Sequence, residues 1–172
     1  MADGTLKVGT ITNSAGSGNI TIGSGVTLLS NVPAFEARLS SSQSLADDTV
    51  SKVEIDSVIF DTDSCYDNST NYRFTPTVAG KYLIYGHIFI ESLNDDQMQI
   101  RIYKNGSILS LGGQRTGTGS ATNQLNMSLI DEANGSTDYY ELYAFQDSGG
   151  AVNINASTTQ FRTWFGAYRI GA

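Results

Sequence analysis

Histidine and cysteine each occur once in this 172-residue chain, proline twice, and charged residues make up only 16% of it. Each scarcity excludes something. A lone cysteine, Cys65, closes no intrachain disulfide, so stability does not depend on an oxidising compartment, and the residue reads as a small half-buried side chain. The single histidine, His87, sits inside the most apolar stretch of the chain with no Ser or Cys nucleophile recognisably placed beside it, which argues against hydrolytic catalysis. No run of 18 apolar residues occurs, and the opening residues show neither the basic region nor the apolar core of a signal peptide. Ten basic residues, scattered among 17 acidic ones, give a net charge of −7 and no patch able to neutralise phosphates. The expectation is a chain that binds no nucleic acid and inserts into no membrane.

Glycine, by contrast, is abundant at 18 residues, and Thr, Ile, Val and Tyr are well represented. That balance favours strands joined by tight turns, and no long amphipathic helix is visible. Period-two alternation supports it. Met98, Ile100 and Ile102 oppose Gln97, Gln99 and Arg101, while Leu125, Met127 and Leu129 oppose Gln124, Asn126 and Ser128. Asn105-Gly106 supplies the positive φ angles of a type I′ turn between strands 97–103 and 108–111. The run from Tyr82 to Ile90 is apolar on both faces, which a strand tolerates only when both faces are covered. Residues 112–120 read as a long flexible loop, and 94–96 and 147–150 as shorter ones.

Residues 1–31 read as a separate β-rich arm. Two Thr/Ile-rich strands, 6–12 and 19–22, flank a Ser/Gly turn, and a third short strand follows at 26–29. Its apolar content is too thin for its own core, so the segment either pairs with another copy or another protein, or stays disordered.

From Pro33 onward the chain resembles the C1q-like and tumour-necrosis-factor-like jelly rolls. The resemblance rests on Pro33-Ala34-Phe35-Glu36-Ala37-Arg38-Leu39 as opening strand and on Phe60-Asp61 at a strand end. Tyr66-Asp67 and Thr70 follow in the next loop. Phe74 then stands at the family's spacing from Gly80 and Tyr82, followed by Lys104-Asn105-Gly106 and the strands 139–145 and 164–170. The loop 66–74 is one residue longer than usual, and Ile84 and Gly86 stand where aromatics are common. The resemblance implies an all-β antiparallel jelly-roll sandwich over 32–172, assembled as a homotrimer. The expected trimer contacts are Tyr82, Ile84, His87, Phe89, Tyr140, Tyr143, Trp164 and Tyr168. The arm around Thr5–Gly23 resembles N-terminal segments of marine phage structural proteins, which places the protein on a virion assembled in the host cytoplasm.

On that reading Leu6, Val8, Ile11, Ile20 and Ile22 dock the arm onto other virion proteins, a tail adaptor or the major capsid protein. Asn94, Asp95, Arg115, Thr116 and Asp147 lie in loops facing a host-surface glycan or protein. Asp61, Asp63 and Asp67, with Asp95 and Asp96, are the acidic groups that could hold calcium, although neither matches an EF-hand and solvated acidic loops are the plainer reading. No other cofactor is expected. The function expected is a non-enzymatic short tail fibre or spike for host attachment, with a capsid decoration protein as the alternative. A glycoside-cleaving spike is disfavoured because no β-helical repeat is present.

Overall fold

The computed structural model describes Ser24 and residues 32–93, 97–116, 121–157, 160 and 162–172, and the fold lies within the unit Asn31–Ala172. Among the described residues there are strands and no helix. In chain order they are β1 (Ala34–Arg38), β2 (Gln43–Leu45), β3 (Ser51–Lys52), β4 (Ser57–Asp61), β5 (Tyr66–Asp67), β6 (Arg73–Phe74) and β7 (Gly80–Leu93). Then come β8 (Gln97–Lys104), β9 (Ser107–Thr116), β10 (Ala121–Ala133), β11 (Tyr140–Gln146), β12 (Val152–Ile154) and β13 (Trp164–Gly171).

Two antiparallel sheets result. In the first, the β7 sheet, the order is β2-β12-β7-β13-β1-β4, with β10 also paired to β7. The second, the β11 sheet, runs β5-β6-β11-β8-β9, with β3 also paired to β11. The fold class is the expected all-β antiparallel sandwich.

Alternation decides which side chains fill the space between the sheets. Met98, Ile100 and Ile102 are fully buried, and Leu125 and Met127 nearly so, while Gln124, Asn126 and Ser128 are exposed. Along β7 the even positions Tyr82, Ile84, Ile88 and Ile90 are fully buried in the core. Gly86 falls on the same side, and a Cβ there would lie 2.8 Å from Leu142 Cδ1. Leu142 of the opposite sheet therefore takes the space that an aromatic would fill.

The residues that carry the jelly-roll resemblance pack together at one end of this core. Phe35 stacks on Tyr66 at 4.5 Å and on Phe74 at 4.8 Å, and Phe165 meets it edge-on at 5.3 Å. Phe74 in turn contacts Tyr82 and Tyr140. Such offset and edge-to-face pairs add about 0.5–1.5 kcal/mol each beyond the area they bury.

The Asn105-Gly106 turn forms as expected, with φ of 52° and 77° at the two residues. The stretch after it does not. Residues 112–116, expected in a flexible loop, continue β9, which pairs with β8 as far as Gln97↔Thr116. Its glycines serve close approach: a Cβ on Gly112 would sit 2.8 Å from Met127 Cε, and one on Gly113 2.8 Å from Leu125 Cδ2. The longer loop before Phe74 is closed by the Asp67 carboxylate, which accepts from the amides of Ser69, Thr70 and Asn71. Tyr72 turns the chain there at φ 50°.

Candidate interaction surface

Because β7 alternates, its odd positions point away from the core, and cross-strand pairing extends that outward face over the neighbouring strands. One row runs Ala34, Tyr168, Leu83, Ile130 across β1, β13, β7 and β10. The next runs Phe60, Glu36, Gly166, Tyr85, Ser128, and a third Arg38, Trp164, His87, Asn126. Directly opposed residues share a face, so these rows form one surface. Ile130 is 62% exposed and Tyr168 49%. Phe60 and Ile170 are also exposed. These exposed apolar side chains share the face with the polar Glu36, Arg38, Ser128 and Asn126, which makes it a candidate interaction surface.

The middle of the surface is rigid. The Tyr85 ring lies flat over Gly166, whose Cβ, if present, would be 2.5 Å from its Cζ. Its hydroxyl donates to Glu36 Oε2 at 3.0 Å. Burial, and then the Glu36 carboxylate, hold that hydroxyl above the ordinary phenol range. His87 stacks on Trp164 at 4.1 Å with the rings 6° from parallel. Its Nδ1 lies 2.6 Å from the Arg162 carbonyl; a carbonyl only accepts, so Nδ1 carries the proton. The Arg162 guanidinium covers the ring of Phe89 at 4.8 Å. A histidine held between an indole and a backbone carbonyl is a packing element of this face.

The expected trimer contacts divide. His87, Phe89, Trp164 and Tyr168 lie on this face. Tyr82, Ile84 and Tyr140 do not: all three are fully buried in the core, where Tyr82 donates to the Val78 carbonyl and Tyr140 to Asp131. Tyr143 belongs to the outward side of the other sheet, stacked on Tyr103. Alternation separates Tyr82 and Ile84 from His87 and Phe89, but a strand apolar on both sides does not say which parity faces outward, so both sets were expected at the interface. Leu83, Tyr85, Ile130, Phe60 and Glu36 were missed. The period-two step from His87 would have found Leu83 and Tyr85.

The acidic candidates are occupied by local bonding. Asp61 accepts from the amides of Asp63, Cys65 and Tyr66. Burial alone would raise its pKa, but the amides of Cys65 and Tyr66 prevail and lower it. Asp67 is lowered by the amides of Thr70 and Ser69, and Asp63 takes the Thr77 hydroxyl. Among the described residues no group of three or more His, Cys, Asp or Glu is placed to hold a metal ion. Cys65 is buried and donates to Asp61, and burial first, then Asp61, push its thiol far up and out of nucleophilic range. Asp147 accepts from the Gln97 amide at 2.6 Å and so ties its loop to the start of β8. Arg115 and Thr116 lie in β9. Asn94, Asp95, Asp96 and the arm residues Leu6, Val8, Ile11, Ile20 and Ile22 fall outside the described residues.

The sandwich is a jelly roll of the C1q/tumour-necrosis-factor type. Among solved structures it is similar to murine APRIL at pH 5.0, with a TM-score of 0.60 and 12% identity over 81% of this chain and 99% of that one. The globular domain of zebrafish complement 1qA protein aligns with a TM-score of 0.55 and 14% identity over 80% of this chain and 97% of that one. Eiger TNF from S. frugiperda aligns at 0.53 and 10% over 81% and 92%. No family model and no curated protein sequence matches the chain.

Proposed function

We propose that the protein is a non-enzymatic homotrimeric component of a phage virion, its jelly-roll head displayed outward as a short tail fibre or spike for host-surface binding. The observation that carries the assembly is the outward face of the β7 sheet around Tyr85, Trp164, Tyr168 and Ile130, where Tyr168 and Ile130 stand exposed beside packed aromatic rings. The resemblance to the jelly-roll family supports an assembly of three copies.

The virion setting rests on the sequence. The arm at Thr5–Gly23 resembles phage structural segments, and the head holds its one cysteine, Cys65, buried and unpaired, as a protein assembled in a reducing cytoplasm would. The test has two parts. Light scattering is expected to give three times the 18.4 kDa chain mass; a monomer mass overturns the assembly. Antibody labelling of intact particles is expected on tails; labelling over capsids would make the protein a decoration protein instead.

A further inference from the structure

The outward face of the β11 sheet carries a different chemistry. One row across β5, β6, β11, β8 and β9 reads Asp67, Arg73, Glu141, Tyr103, Ile108. The next, across β3, β11, β8 and β9, reads Lys52, Tyr143, Arg101, Leu111. In a chain with 17 acidic and only 10 basic residues, three cations, Lys52, Arg73 and Arg101, share these rows with two carboxylates, Asp67 and Glu141. Glu141 is nearly buried and already paired with Lys52 at 2.6 Å, and Asp67 is turned to the amides of its own loop. Arg73 and Arg101 are left without an ion pair among the described residues.

Both guanidiniums are held in place. Arg73 lies over the Tyr139 ring at 4.5 Å and Arg101 over Phe145 at 5.5 Å. Gln99 Oε1 accepts from Arg101 Nε at 3.0 Å and from Nη2 at 2.5 Å, which leaves the Nη1 edge free to donate outward. Beside Arg101 and across β11 from Arg73 lie the half-exposed rings of Tyr103 and Tyr143, 4.2 Å apart. Held guanidiniums present planar forks that match carboxylates, and aromatic ledges take the C–H faces of pyranose rings. Strands β6 and β8 stand two spacings apart, about 10 Å. Two acidic groups along one short chain fit that separation better than a single group shared by both arginines.

We propose that this face binds a carboxylate-bearing oligosaccharide, with Arg73 and Arg101 as its anion sites and Tyr103 and Tyr143 as the ledge for its sugar rings. The proposal rests on the host-contact part of the function proposed above and gives that contact a chemistry.

The experiment is titration calorimetry of the full-length protein with tetragalacturonate, with neutral cellotetraose and a short single-stranded oligonucleotide as comparison ligands. Tetragalacturonate is expected to bind at least about tenfold tighter than cellotetraose, and more weakly as salt is raised. Arg73→Gln and Arg101→Gln should each weaken binding by about tenfold, and Tyr143→Ala by less, with melting midpoints checked to exclude unfolding. The proposal is overturned if the acidic tetramer gives no binding, if cellotetraose binds as well, or if the arginine variants bind like the parent. It is also overturned if the oligonucleotide binds more tightly at the same residues. The mass and labelling measurements decide the assembly separately: a trimer on virions that ignores the saccharide sinks this inference alone, and a monomer that binds it sinks the trimer alone.

Discussion

The two outward faces of the sandwich use the same aromatic residues to opposite ends. On the β7 sheet, rings lie against rings and backbone: His87 on Trp164, Tyr85 on Gly166, with Tyr168 and Ile130 standing free at the side. On the β11 sheet, rings lie under cations, Tyr139 under Arg73, Phe145 under Arg101, Tyr143 under Lys52 at 5.9 Å. The first arrangement hides polarity and leaves apolar area to be covered by protein. The second displays charge over apolar area and suits a small polar ligand in water. Burial, and then Glu141, push the Tyr143 hydroxyl up to about 12, so it stays protonated and keeps donating to Glu141 Oε2 throughout the neutral range.

Breaking the contrast is the strongest test. Tyr168→Glu combined with Ile130→Lys should reduce the mass by light scattering from three chains to one. A similar apolar loss on the other face, Tyr103→Gln with Tyr143→Gln, should leave it at three. If both double variants dissociate, the two faces do not differ in role.

A smaller effect sharpens the picture of the β7 face. Gly166→Val places side-chain atoms where the Tyr85 ring lies and should cost about 1–3 kcal/mol, read as a lower denaturant midpoint, together with weakened assembly. Gly166→Ser should fall between Val and the parent.

The smallest effect belongs to the edge of the β11 sheet. Asp67 has its pKa lowered by the amides of Thr70 and Ser69. A depressed carboxylate contributes stability that is fully present above its unfolded pKa and is lost as pH falls below it toward the folded value. Urea midpoints of the parent should therefore drop between pH 5 and 3 by more than those of Asp67→Asn, which has nothing to titrate at that position. Equal drops would remove Asp67 from the acid response.

Much of the fold was legible because local rules sufficed. Alternation at 98–102 and 124–129 gave the inward faces, and Asn105-Gly106 gave the turn. Phe35, Phe74, Tyr82 and Phe165 carried the family resemblance, and the structure packs them in one aromatic cluster. What misled was composition without context. Gly112 and Gly113 looked like flexibility but let β9 pass close to Met127 and Leu125. Asp61 and Asp67, weak calcium candidates that read more plainly as solvated loop residues, cap backbone amides.

The sequence by itself determined the class of fold and the absence of a disulfide framework, because periodicity, turn residues and cysteine count act over a few neighbouring positions. Only the tertiary structure decided which side of β7 faces outward and that Arg73 and Arg101 stand around Tyr103 and Tyr143. Those facts depend on register between strands far apart in the chain, and a shift of one residue would turn every side chain to the opposite face.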